Sequence, residues 1–178
     1  MEGSHSMAVC AEVTERVLRN VFKQLYSQRV QLEGMVLKPN MVLPGVDCPH
    51  QETVEEVADA TVGCLLRSVP AAVPGIVFLS GGQAGELASA RLNAMNVRYK
   101  SRLPWQVSFS FGRAIQEPAL SIWDGKPANV VPAQAALCHR AKCDRAAHRG
   151  TYNAAVELDH RESTAVHTVP TIYAGSAN

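Results

Sequence analysis

Apolar residues recur at helical spacing from about Val9 to Gln28. Val13, Val17, Val21 and Leu25 step by four, Leu18 and Phe22 stand beside them, and Glu12, Glu15, Arg16, Arg19 and Lys23 fall between. The pattern predicts an amphipathic helix with that stripe inward and those charges outward. The period changes at Val30. From there to Val42 apolar residues crowd both sides of one lysine, Lys38, in a run with the length and β-branching of a buried strand. Pro39 cannot donate to a ladder, so the strand is expected to end near Lys38, with Glu33 in its middle. Pro44-Gly45 marks a turn and 47–50 a loop. Thr53 with Glu56 fits a capping box opening a second helix to about Ser68, with Val54, Val57, Thr61 and Leu65 inside. Gly75 to Leu79 reads as a short apolar strand closed by Ser80-Gly81-Gly82, and Gly85 to about Asn96 as a third helix. Trp105, Val107, Phe109 and Phe111 then alternate with Gln106, Ser108 and Ser110, a strand ending at Gly112-Arg113. A short helix from Ala114 to Trp123, interrupted at Pro118, and a longer one from Pro132 or Ala133 to His148 complete the pattern.

Helix and strand therefore alternate, which implies an α/β fold of parallel strands with right-handed crossovers. Residues 1–7 carry no apolar period and read as a disordered start or an expression scar. Residues 8–148 form the folded unit. Residues 149–178, rich in Thr, Ser, Ala and His, read as a mobile tail.

Composition narrows the function classes. The 178 residues suffice for one sizeable core, and a formal net charge of +1 without a block of like charge argues against nucleic acid or an anionic membrane as partner. No apolar run approaches a membrane span and no secretory signal is visible. Five unevenly spaced cysteines suggest reduced thiols and a cytoplasmic setting. Cys138, Cys143 and His148 stand five apart, a step that turns each about 140° from the last on a helix, so these three are not expected to hold a metal. Cys48 and His50 share a loop with Pro49 and no orienting third group, so no nucleophile pair is expected there.

The candidate chemistry lies at the strand ends. Desolvation at the end of a buried strand disfavours an ammonium, and the neutral amine is a nucleophile able to form a Schiff base with a carbonyl; the competing reading of Lys38 is a lysine that snorkels to solvent. Ser80-Gly81-Gly82 opens a turn where backbone amides can converge on an anion, and Arg113 offers a planar fork suited to phosphate. Each alone is equally an ordinary βα turn or a solvated arginine. Parallel strands bring them to one edge with Lys38, which strengthens the joint reading.

Leu32-Glu33-Gly34-Met35-Val36-Leu37-Lys38-Pro39-Asn40 closely resembles the active-site stretch of class I fructose-bisphosphate aldolases, with Val36 where that family usually has leucine. The resemblance continues through 69–76, Phe78-Leu79-Ser80-Gly81-Gly82, Leu92-Asn93-Ala94-Met95-Asn96, Pro104-Trp105, Ser108-Phe109-Ser110-Phe111-Gly112-Arg113-Ala114 and Trp123-Asp124-Gly125-Lys126. It implies a partial (β/α)8 TIM barrel, its last three strands with their helices. It implies that Lys38 is the Schiff-base lysine, and that Ser80, Gly81, Gly82, Ser110, Gly112 and Arg113 hold a substrate phosphate. It also implies a metal-free reaction without a cofactor. Family members are about twice as long. Their active-site aspartate, further lysines and glutamate acid/base residues have no counterpart here, and the tail around Tyr173 matches their terminal tyrosine poorly.

The expected function is therefore that of an aldolase, cleaving fructose 1,6-bisphosphate to dihydroxyacetone phosphate and glyceraldehyde 3-phosphate in glycolysis. Its partners would be a sugar phosphate and either a second copy or a complementary N-terminal half. The rival is a truncated, catalytically weak relative serving as a binding or interaction module through its open sheet edges.

Overall fold

Local signals set the element boundaries. Thr53 Oγ1 accepts from the Glu56 amide (3.2 Å) and the Glu56 carboxylate accepts from the Thr53 amide (2.8 Å), the expected capping box. Ser6 caps the first helix by accepting from the Val9 amide at 3.3 Å. The structure, a computed structural model, describes residues 2–159. Its elements are α1 (Met7–Ser27), β1 (Val36–Leu37), α2 (Val54–Ser68), β2 (Gly75–Phe78), α3 (Gly85–Arg98), β3 (Gln106–Phe109), α4 (Arg113–Trp123), α5 (Val130–Arg149) and α6 (Ala154–Leu158). The strands form one parallel sheet in the order β1-β2-β3. Val36 and Leu37 pair with Gly75 and Ile76, and Gly75 to Phe78 with Gln106 to Phe109.

The two faces of the sheet differ. Ile76, Phe78 and Val107 point into a core shared with Val57, Leu65, Leu92 and Met95 from α2 and α3. Asn96 and His148 tie α3 and α5 to the Val107 carbonyl at 3.3 and 2.9 Å, and the Trp105 indole donates to the Pro70 carbonyl at 2.9 Å. The alternate residues, Val36, Gly75, Val77, Gln106 and Ser108, lie on the other face, where burial falls away: Val36 is 58% exposed. Side-chain alternation therefore leaves one face packed by helices and one face open.

Four sequence expectations need correction. The run from Val30 is not a long buried strand. Leu32–Gly34 is a 3₁₀ turn, so Glu33 is not mid-strand, and only Val36–Leu37 pair. Gly34 and a β1 neighbour on one side alone explain the shortness, since a strand holds its geometry through its partners. The buried stretch instead follows Lys38, at Met41, Val42 and Leu43. On α1 Val13, Val17 and Val21 of the expected stripe are 40–51% exposed, whereas Leu25 packs against the core and Leu18 and Phe22 are buried as expected, together with Cys10. A four-residue step overshoots the helical turn by about 40°, so the stripe winds off the packed face. Pro118 does not interrupt α4, which runs through it. A proline there removes only the bond to the carbonyl four residues back, that of Ala114. Finally, 149–159 contains α6, capped by Asn153 accepting from the Ala155 and Val156 amides; the remaining tail, with Tyr173, lies outside the described residues. At the other end the Gly3 and His5 carbonyls accept from the Asp47 and Gly45 amides at 3.0 and 2.9 Å.

Candidate functional site

The sheet ladder continues one step past each strand. The Leu79 amide donates to the Pro39 carbonyl at 3.0 Å, and the Ser110 amide to the Phe78 carbonyl at 2.8 Å. This fixes the level of Lys38 against its neighbours: it stands level with Val77 and Ser108, on the open face. Ser110 is two residues further along, and Ser80 three, which is roughly 7 to 10 Å along the strand direction. An elongated ligand with an anionic end at the rim and a reactive carbon deeper in would span that offset.

The backbone that carries Lys38 is held from behind. The Asn40 side chain donates to the Met41 carbonyl (2.9 Å) and the Thr14 hydroxyl (3.3 Å), and the Val42 amide donates to the Thr61 hydroxyl (2.9 Å). The Lys38 side chain itself is exposed. The desolvation expected from a buried strand is thus not supplied by the described residues, because the face on which Lys38 stands is the uncovered one.

The β2 end is a braced glycine turn. Gly81 and Gly82 have φ of +62° and +85°, a region costly for residues with a Cβ. Ser80 is buried. Its carbonyl accepts both the Gln83 amide (3.1 Å) and the Gln83 side chain (2.8 Å), while Gln83 Oε1 accepts from Arg91 at 2.7 Å. Burial pushes the Arg91 guanidinium below its ordinary pKa, with Glu52 pulling the other way. A cavity of about 220 Å³ opens beside this turn, lined by Pro44, Gln51, Gly81, Gly82, Gln83 and Arg91 among others. Gln83 and Arg91 are the site residues that sequence reasoning missed. Their signal is faint: a glutamine directly after a glycine pair, and an arginine two helical turns later.

Helices α3 and α4 both start at this edge, behind Ala84 and Gly112, and neither start carries a side-chain cap. Their first amides therefore keep their capacity for an anion, and the helix dipoles favour one. Arg113 is the first residue of α4; it is exposed and makes no ion pair among the described residues. Lys38, Ser80, Gly81, Gly82, Ser110, Gly112 and Arg113 thus share the C-terminal edge of one parallel sheet. No carboxylate stands at 36–38, 78–82 or 109–113.

Comparison with known proteins bears on the same residues. The family model for fructose-bisphosphate aldolase class-I matches residues 1–172. The chain belongs to the class I fructose-bisphosphate aldolase family. It is 50% identical over 167 residues to cytoplasmic isozyme 2 of the enzyme from Pisum sativum, covering 94% of this chain and 46% of that relative. It is 48% identical over 172 residues to fructose-bisphosphate aldolase B of Gallus gallus, covering 97% and 47% respectively. Among solved structures, the Plasmodium falciparum aldolase in ternary complex with TRAP and a small-molecule inhibitor matches with a TM-score of 0.81 and 47% identity, over 85% of this chain and 43% of that one. The chain spans about half the length of the curated relatives it matches.

Proposed function

We propose that this chain contributes the Schiff-base half of a class I aldolase active site, with fructose 1,6-bisphosphate as substrate. The observation that carries the reading is the shared strand edge, with an amine on the open face below a glycine turn and two uncapped helix starts. In this reading the Lys38 amine adds to the substrate ketone and loses water, giving a protonated imine. The hydroxyl on the second carbon from the imine carbon then gives its proton to a base supplied by the rest of the barrel, and cleavage of the bond between the first and second carbons sends its electron pair into that imine, leaving an enamine on Lys38 and releasing glyceraldehyde 3-phosphate. Protonation and hydrolysis of the enamine then free dihydroxyacetone phosphate and the amine. The imine is the electron sink, so Lys38 needs no metal for this step. Ser80, Gly81, Gly82, Ser110, Gly112 and Arg113 would hold a phosphate at the rim.

The fold that suits this role is a (β/α)8 barrel in which β1, β2 and β3 are three of eight strands and the open sheet face becomes the interior. The further strands, and the acid/base residues that move the protons, would come from additional residues of the family length. They would also cover Lys38 and supply the desolvation missing here. The alignment with cytoplasmic isozymes favours a cytoplasmic setting and a place in glycolysis. The test is borohydride reduction in the presence of dihydroxyacetone phosphate, followed by peptide mass spectrometry. Lys38 should carry the adduct, and Lys38→Met should abolish it. Adducts spread over surface lysines and unchanged in the variant would refute the assignment.

A further inference from the structure

Away from the strand edge, α5 turns two metal-binding side chains toward α6. His139 and Cys143 are four residues apart, one helical turn, and so share a face. Both are buried, and His139 Nε2 lies 3.5 Å from Cys143 Sγ. Glu157 of α6 closes the group: its Oε1 is 3.8 Å from His139 Nε2, and the three donor atoms all lie within 4.8 Å of one another. We propose that His139, Cys143 and Glu157 form a site for a divalent transition-metal ion, Zn²⁺ being the ion this donor set suits best.

Geometry supports the choice. With zinc bonds of about 2.3 Å to sulfur and 2.0–2.2 Å to nitrogen and oxygen, tetrahedral angles put nitrogen and sulfur about 3.5 Å apart, and nitrogen and oxygen about 3.4 Å. The His139–Cys143 pair already has that spacing, so only the carboxylate has to shift, by well under the length of a bond to the metal for its distance to His139. One nitrogen, one sulfur and one carboxylate oxygen make a borderline set that favours zinc over calcium or magnesium, which select oxygen ligands. Glu157 already accepts from Arg140 at Oε1 and from Tyr152 at Oε2 (2.6 Å), but each oxygen has a second lone pair. Those two donors orient the carboxylate as outer partners of the site.

The charges also balance. Arg140 faces Glu157 directly and neighbours Asp144, whose Oδ1 accepts from Ser89; Glu86 of α3 stands 4.0 Å from Arg140 but is exposed. Asp144 and Glu157 against Arg140 leave one net negative charge in the buried group. A dication that displaces the thiol proton adds one positive charge and brings the group to neutrality. The ion would join α6 to α5 through these three side chains.

The experiment is titration of the metal-free 178-residue chain with Co²⁺, followed by Zn²⁺ displacement. One equivalent of Co²⁺ should give a thiolate-to-cobalt band in the near ultraviolet with the visible bands of a tetrahedral ion, and Zn²⁺ should bleach both. Binding releases one proton, so the affinity should rise about tenfold per pH unit near neutrality. Cys143→Ser should remove the thiolate band and weaken binding by at least about a hundredfold, whereas Cys138→Ser, an exposed neighbour, should change neither. Circular dichroism checks that the serine variant folds; if it does not, His139→Gln serves, and should weaken binding while keeping the thiolate band. Spectra without a thiolate band at stoichiometric Co²⁺, or a band that survives Cys143→Ser, would overturn the proposal.

Discussion

Asp144 offers a direct test of how the α3–α5 contact is held together. It is 1% exposed, accepts a 2.6 Å hydrogen bond from the Ser89 hydroxyl, and has Arg140 nearby. Burial raises its carboxyl from the ordinary 3.8 to about 6, overriding the Ser89 bond and the Arg140 charge, which pull down. The sign follows from linkage. A carboxyl whose folded pKa lies above its unfolded one binds its proton more tightly in the folded state. Its contribution to stability is full below pH 3.8 and is lost as pH rises through about 6. That interval is worth about 3 kcal/mol at 1.36 kcal/mol per pH unit. Asparagine keeps the acceptor for Ser89 but cannot ionise. The expected result is therefore that Asp144→Asn gains on the parent chain as pH rises, with the stability difference moving by about 2.4 kcal/mol between pH 4 and pH 7. Urea unfolding of both proteins across that range measures it, and taking the difference cancels the other titrating groups. A flat difference would show that desolvation and pairing balance. A difference that moves the other way would show that attraction to Arg140 outweighs burial.

Three further outcomes are expected. Arg113→Ala should weaken sugar-phosphate binding about tenfold to a hundredfold, the loss of one charge-assisted contact of roughly 1.5–3 kcal/mol, while sparing the unphosphorylated sugar; calorimetry with both ligands checks it, and equal losses would mean that Arg113 acts through packing. Gly85→Ala should destabilise by about 1–3 kcal/mol, because its Cβ would sit 2.8 Å from the Ala114 carbonyl that Pro118 leaves without its helical donor, whereas Gly63→Ala, meeting only the flexible end of Arg67 at 3.3 Å, should stabilise by about 0.5–1 kcal/mol; thermal melts of the pair decide by sign. The 178-residue chain alone should cleave fructose 1,6-bisphosphate at least about a thousandfold more slowly than a complete aldolase, since general acid–base steps contribute about 10²–10⁴-fold each. Near-normal turnover by a monomer in a coupled assay would refute that.

How far the sequence could be read depended on the range of the interaction involved. The capping box at Thr53, the glycine turn at 80–82 and the alternation from Trp105 to Phe111 are local, and each element lies where its pattern put it. Parallel order followed from alternation alone. What failed was burial. Val13, Val17 and Val21 look inward by spacing, yet which face of α1 is packed depends on Cys10, Leu18 and Phe22 meeting α2 and the loop after Lys38. The network of Ser89, Asp144, Arg140 and Glu157 was also unreadable, because it joins three helices, with Ser89 more than fifty positions from Arg140 and Asp144. The i,i+4 pair of His139 and Cys143 was legible in principle, but the equal five-residue steps of Cys138, Cys143 and His148 drew attention to the wrong partners.

The two misread surfaces have a common physical origin. An exposed valine stripe on α1 and a half-open sheet face with Val36 and Lys38 on it are both apolar by sequence and both uncovered by the described residues. Patterning records the environment a side chain evolved in, and the excess of apolar residues over the burial seen here measures contacts that these residues alone do not provide. Part of that excess lies on the open sheet face, at Val36, and part on α1, at Val9, Val13, Val17 and Val21. Exposed apolar side chains also stand on α4 and α5, where Leu120, Ile122, Trp123, Val131 and Leu137 are 39–57% exposed. Lys38 stands on that open face, exposed among the described residues, where covering the sheet would desolvate it.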